Sequence, residues 1–241
     1  MEANMKKVLS MILAAAMVVS LAACGSKFTL PEDGMTYAQY AAAALDSEVT
    51  VYTYFQAAQS WWEKDGQGVA TVYTQDQDGG YFLYECKCSK DVYDKLVPGT
   101  LIRVKGYKSE WAGEVEITDC SLEIYNSKST YVAPATDVTS IYGTDALAEK
   151  INQKIAVKGL KVNSPATYKW DGSGAQGDDL YLRVDLNGTE YTMVVESYLC
   201  DKNSDTYKAV EALKAGDKID IEGFLYWYNG AQPHITKVIS K

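Results

Sequence analysis

The sequence is poor in the residues that most chemistry requires. Among its 241 residues there is one histidine, His234, at the start of an expected strand after Pro233. No Ser or Cys stands at motif spacing from it, so it is expected to be an incidental surface residue rather than a catalytic base. Gly-x-Ser-x-Gly and His-Glu-x-x-His are absent, and the glycines of residues 171–179 sit in an acidic stretch that reads as a solvated loop rather than a phosphate cradle, which points away from an enzyme and leaves no catalytic residues to name. Cys86 and Cys88 are separated by one residue, whereas a zinc site asks for Cys-x-x-Cys. Asp76 and Asp78 before Gly79 lack the glutamate that a calcium loop carries at its twelfth position, and read as solvated acids of a hairpin turn. Neither a metal nor a cofactor is implied. Positive charge is also short, with 23 Lys+Arg against 32 Asp+Glu and a formal net charge of −9. Nucleic-acid surfaces usually show the opposite balance.

What is abundant is aromatic and repeated. The chain holds 19 Tyr and five Trp against only four Phe. Rings with a polar handle suit half-exposed positions and recognition surfaces. Leu96, Gly99, Ile102, Val104, Gly106, Tyr107, Trp111 and Gly113 recur 117 positions later as Leu213, Gly216, Ile219, Ile221, Gly223, Phe224, Tyr228 and Gly230. One constant offset for eight positions means two copies of one unit. Each copy reads as a glycine turn, an alternating strand, a glycine bend and a second strand. Gly106 and Gly223 fall where a side chain is expected, which predicts a bulge that curves the sheet.

In chain order, residues 1–23 carry a basic start at Lys6-Lys7 and an apolar run from Val8 to Ala22 too short to span a membrane, so they read as a signal peptide. Residues 24–47 are expected to hold a short tether (25–35) and a helix capped by Thr36. Unit one, 48–125, is expected to contain strands at 48–56, 69–74 and 81–85, a loop over 60–66, a helix capped by Ser89, and strands four and five. A Ser/Thr/Ala/Pro-rich linker over 126–143 leads to a helical turn or two ending at Lys150. Unit two, 151–241, repeats the order, with a long polar loop over 163–177 and a helix capped by Ser204. Cys86 and Cys88, both on one strand face, and Cys120 are open either to a disulfide or to remaining free thiols. Cys200 stands alone in unit two.

Strand, long loop, hairpin, helix, strand, strand resembles the five-stranded OB barrel. The resemblance rests chiefly on Thr71–Phe82, with its Gln75-Asp76-Gln77-Asp78-Gly79 turn, and on Pro98–Gly106. Unit two departs from it in the hairpin, where Val184-Asp185-Leu186-Asn187-Gly188 stands. The chain therefore looks like an all-β protein of two tandem OB folds, each with a short helix between strands three and four, plus a short N-terminal helix. Leu21-Ala22-Ala23-Cys24 resembles the bacterial lipobox. That likeness implies cleavage before Cys24, a diacylglycerol on its thiol, and an exported, lipid-anchored protein outside the cytoplasm, with the membrane as its partner.

In OB barrels the face of strands two and three and its flanking loops bind oligonucleotides or oligosaccharides. The residues placed there are Trp61 and Trp62 in the first loop, Tyr73 and Tyr81 on the hairpin, and Trp111 after strand four, with Trp170, Tyr226 and Tyr228 as counterparts in unit two. The loops are expected to bring Trp61 or Trp62 near Trp111, and Trp170 near Tyr228. The same rings would serve equally as plugs of the barrel ends or of the contact between units. As ligand contacts they imply a non-catalytic binding or adaptor module for a glycan, peptide or protein. A single-stranded nucleic acid is the alternative, and it would need Lys64, Arg103, Lys105 and Lys108 as phosphate contacts.

Overall fold

The computed structural model describes residues 28–240; the leader and Cys24 lie outside the described residues. No described helix is long and apolar enough to cross a membrane. The chain folds as α1 (Tyr37–Ala42), β1 (Glu48–Ala58), β2 (Trp62–Lys64), β3 (Gln67–Gln75), β4 (Gly80–Lys87), α2 (Lys90–Tyr93), β5 (Leu101–Trp111) and β6 (Glu114–Ile124). A two-residue β7 (Thr136–Asp137) and a 3-10 turn (Asp145–Lys150) lead to β8 (Lys154–Val162), β9 (Thr167–Tyr168), β10 (Leu180–Leu186) and β11 (Thr189–Val195). Then come α3 (Asp205–Glu211), β12 (Lys218–Phe224) and β13 (His234–Ser240).

The first unit is a closed ring in which β1 pairs with β3, β3 with β4, β4 runs parallel to β6, β6 pairs with β5, and β5 returns to β1. In the second, β8, β10, β11, β13 and β12 close in the same order, again with one parallel step, β11 to β13. A five-strand ring of order 1-2-3-5-4, with a helix between strands three and four, is the OB barrel. Both units are OB folds.

The repeated glycines explain the closure. Gly99 and Gly216 have φ of +93° and +94°, a left-handed turn that a Cβ resists. Gly106 and Gly223 are bulge positions, since the ladders slip between Lys105 and Tyr107 and between Glu222 and Gly223. A Cβ on Gly223 would stand 2.2 Å from the His234 carbonyl oxygen, and one on Gly106 2.5 Å from Cys120 Cβ. Close approach of backbones, rather than φ, excludes a side chain there.

Val72, Leu83, Val104 and Ile117 fill barrel one, and Leu160, Leu182, Met193 and Ile235 fill barrel two. Cys86, Cys88 and Cys120 are buried free thiols within barrel one's core, and Cys200 is a half-buried free thiol in unit two.

Several local expectations differ from the structure. Residues 28–35 are not a loose tether. Phe28 packs on Tyr52 and Tyr125, and Asp33 accepts from the Arg103 guanidinium at 2.8 Å and from the Tyr52 hydroxyl at 2.9 Å. The loop after β1 contains β2, which pairs with β3. The linker is bound on both sides, as Tyr131 packs on Tyr54 and β7 lies parallel to β8. Asp76 is not simply solvated, because it accepts from the Asp78 and Gly79 amides and from the Tyr81 hydroxyl.

Candidate binding cleft between the barrels

Side chains alternate across a strand. In β3, β4 and β6 one set (Val72, Leu83, Ile117) enters the barrel, so Tyr73, Phe82 and Glu116 point outward. In β10, β11 and β13 the outward set is Tyr181, Val194 and His234, in register with one another. These are strands two, three and five of each barrel. The barrels pack through these equivalent faces. Tyr73 stacks flat on Phe224 with centroids 4.4 Å apart, and its hydroxyl meets His234 Nδ1 at 2.9 Å. Phe82 packs edge-on against Tyr226, which stacks on the His234 ring at 4.4 Å.

Backbone and buried polar groups lock the contact. The Trp227 amide donates to Glu114 Oε2, the Asn152 side chain to the Val115 carbonyl, and the Lys154 amide to Gln75 Oε1, each at 2.7 Å. Trp111 and Tyr228, equivalent in the repeat, meet with ring centroids 5.1 Å apart. Their neighbours Ala112 and Asn229, also equivalent, share a backbone hydrogen bond of 2.7 Å. Two pairs of repeat-equivalent residues thus meet at the tips of the strand-four/strand-five hairpins.

Beside the Trp111–Tyr228 contact the faces part to leave a cleft of about 800 Å³. Its walls are Phe82, Tyr84 and Trp111 from barrel one and Trp170, Tyr181, Tyr226 and Tyr228 from barrel two. Glu116, Asp179, Glu196 and His234 add the titratable groups, with Gln59, Thr71 and Gln232 as neutral polar ones; no Lys or Arg is among the lining residues. Burial pushes the Glu116 and Glu196 carboxyls up to about 7 and the Glu114 carboxyl, sealed in the contact beside the cleft, up to about 9. Glu196 still accepts from the Tyr198 and Leu199 amides, and Asp179 from the amide and hydroxyl of Ser197. Burial holds His234 down to about 3, so the imidazole is neutral.

Sequence reasoning located this region in part. Trp111, Trp170, Tyr226 and Tyr228 line the cleft, but the ring contact is Trp111 with Tyr228. Trp61 and Trp62 do not line it. Trp61 is half-buried on barrel one's core, its indole N–H donating to the Cys88 carbonyl at 3.1 Å, while Trp62 is exposed on β2. Tyr73 and Tyr81 have no free ring face. Tyr73 is sealed between the barrels, and Tyr81 lies under α1 against Tyr37 and Tyr40. His234 is buried rather than on the surface. Tyr84, grouped with the hairpin tyrosines Tyr73 and Tyr81, does line the cleft, and Asp179, which reads as part of a solvated loop over 171–179, also lines it. Tyr181, Glu116 and Glu196 were not singled out, because outward acids on a strand look solvated until a second barrel covers them.

No family model and no curated protein matches the chain. Among solved structures it is similar to the tetrameric p202 HIN2 domain (10% identity, 88% of this chain and 98% of that one, TM-score 0.34). It is also similar to a murine DNA-binding protein bound with double-stranded DNA (15%, 80% and 96%, TM-score 0.35). A third match is a replication protein A heterotrimer bound to single-stranded DNA (12%, 86% and 52%, TM-score 0.34). At these values the likeness bears neither on how the barrels are arranged nor on what they bind. The OB assignment stands on the strand pairing above.

Proposed function

We propose that this chain is a lipid-anchored, extracytoplasmic, non-catalytic binding protein whose ligand, a glycan, peptide or protein segment, seats in the cleft between its two OB barrels. The observation that carries the reading is a ring-lined cleft without a lysine or arginine, built in part from strands two and three, the face on which OB folds receive ligands. Address and anchor rest on the leader and on Leu21-Ala22-Ala23-Cys24.

The absence of catalysis is supported by the state of the one histidine. His234 is neutral and buried, and its Nδ1 is occupied by Tyr73. The nucleic-acid alternative is weakened by the cations it would use. Arg103 is paired with Asp33 and Glu123, Lys105 with Glu48, and Lys64 with Glu85. The Lys108 ammonium is buried on the carbonyls of Tyr40, Ala41 and Ala43. A phosphate entering the cleft would meet carboxylates.

The test is a glycan and peptide array with a parallel fluorescent-oligonucleotide titration, using the wild type and Trp111→Ala. A glycan or peptide ligand whose affinity falls at least ten-fold in Trp111→Ala supports the reading. Salt-sensitive oligonucleotide binding that survives the substitution overturns it in favour of the alternative.

A further inference from the structure

Glu116 differs from every other buried acid around the cleft. It is 7% exposed, yet its carboxylate makes no hydrogen bond or ion pair with any described residue. Glu114, Glu196 and Asp179 all accept from backbone amides. Unlike Glu114 Oε1, its oxygens are not sealed from solvent but open into the cleft, where an entering group meets a carboxylate that no protein donor engages. Glu116 lies in register with Phe82 on β4, with Tyr84 two residues further along. Tyr226 closes on Phe82, and Trp111 with Tyr228 forms the rim.

The chemistry of the partner follows by elimination. No group of three His, Cys, Asp or Glu among the described residues is arranged to hold a metal ion. An anion would face acids on both barrels. A neutral hydroxyl would engage the carboxyl but supply it no counter-charge. An organic cation answers both halves of the site, since a carboxylate supplies the counter-charge and ring faces attract a desolvated ammonium. We propose that the cleft receives an organic ammonium head, with Glu116 as its counter-ion and the surrounding rings as its walls. The proposal rests on the cleft being the binding site.

The groups around Glu116 are Glu114 on its own strand, Glu85 and Tyr84 on β4, Tyr40 of α1, and Tyr226 and His234 on barrel two; on its outer side it shares a shallow cleft with Lys64, already paired with Glu85, and with Lys87, Asp65 and Asp119. Burial holds Glu116 at about 7, so the empty site is part protonated at neutral pH and a bound cation displaces the proton. Affinity for the cation therefore rises between pH 6 and pH 8.

The ammonium has two sources, a small quaternary amine or a lysine side chain, and paired probes separate them. The detergent-solubilised chain is titrated calorimetrically with choline and with its neutral isostere 3,3-dimethylbutan-1-ol. It is titrated likewise with Nα-acetyl-lysine methylamide and with the Nε-acetylated form. At least one cation should bind ten-fold or more tightly than its neutral counterpart, and Glu116→Gln should abolish that preference while leaving the neutral probe unchanged. Choline as the better probe identifies a small-molecule ligand, and the lysine derivative a peptide. Equal binding within both pairs of the wild type, an unchanged preference in Glu116→Gln, or no binding by any of the four overturns the proposal. Equal binding within a pair that Trp111→Ala weakens leaves the cleft as a site for neutral ligands, and the array titration decides the cleft independently.

Discussion

Glu114→Gln should make the protein more stable at alkaline pH and leave it nearly unchanged in acid. Glu114 is fully buried between the barrels, with Oε2 accepting from the Trp227 amide while Oε1 and the nearby Asn152 Oδ1 lack partners. Its carboxyl is held up to about 9 from an ordinary 4.5, chiefly by burial. Between those values the folded protein holds a proton that the unfolded chain has released, so stability is fully present below the lower value and is lost as pH rises toward the upper. The slope is about 1.4 kcal/mol per pH unit, which gives at most about 4 kcal/mol between pH 5 and pH 8. Local relaxation reduces this to roughly 2–4 kcal/mol. A glutamine keeps the acceptor for Trp227, offers an N–H to Asn152, and does not titrate. Glu116 and Glu196 titrate with the same sign, but they are present in both chains and cancel in the difference. Urea unfolding at pH 5, 6, 7 and 8 measures the effect. The difference between variant and wild type should grow with pH, and a difference that is flat or reversed would show that Glu114 is ionised in the folded protein.

Gly223→Ala should cost more than about 2 kcal/mol, because its Cβ meets the His234 carbonyl, a backbone atom that cannot turn aside; an unchanged melting temperature would refute the close-approach argument. Lys108→Met removes the ammonium from three carbonyls at the end of α1 and should lower stability by about 1–3 kcal/mol, with limited proteolysis then cutting between α1 and β1. Tyr73→Phe should cost about 1–3 kcal/mol by leaving His234 Nδ1 without its partner, measured by the same unfolding. Cys24→Ala should release the protein from the membrane fraction, and continued membrane association would remove the lipid anchor from the account.

Much of each barrel is legible in the sequence because its causes are local. The turns at Gly99 and Gly216, the bulges at Gly106 and Gly223, and the Ser89 and Ser204 helix caps each follow from one residue's own conformational or hydrogen-bonding properties. The cleft is less legible because its causes are long-range. Tyr73 and Tyr84 lie on the same strand pair as tyrosines of similar pattern, yet one is sealed against Phe224 and the other opens to the cleft. Trp61 and Trp62 are neighbours on opposite sides of the chain, one against the core and one in solvent. The repeat did hold a clue to the packing. Trp111 and Tyr228, which the repeat makes equivalent, meet across the contact between the barrels.

The central claim is that ligands enter between the barrels, and the five tryptophans offer a direct test of it. With indole nitrogens labelled, NMR spectra would follow Trp61, Trp62, Trp111, Trp170 and Trp227 while a library of cationic, neutral and anionic ring compounds is added. The account predicts that hits shift the Trp111 and Trp170 signals, that cationic hits outnumber anionic ones, and that Trp61 and Trp62 stay still. Hits that move Trp61 or Trp62 and leave Trp111 and Trp170 unmoved would contradict it.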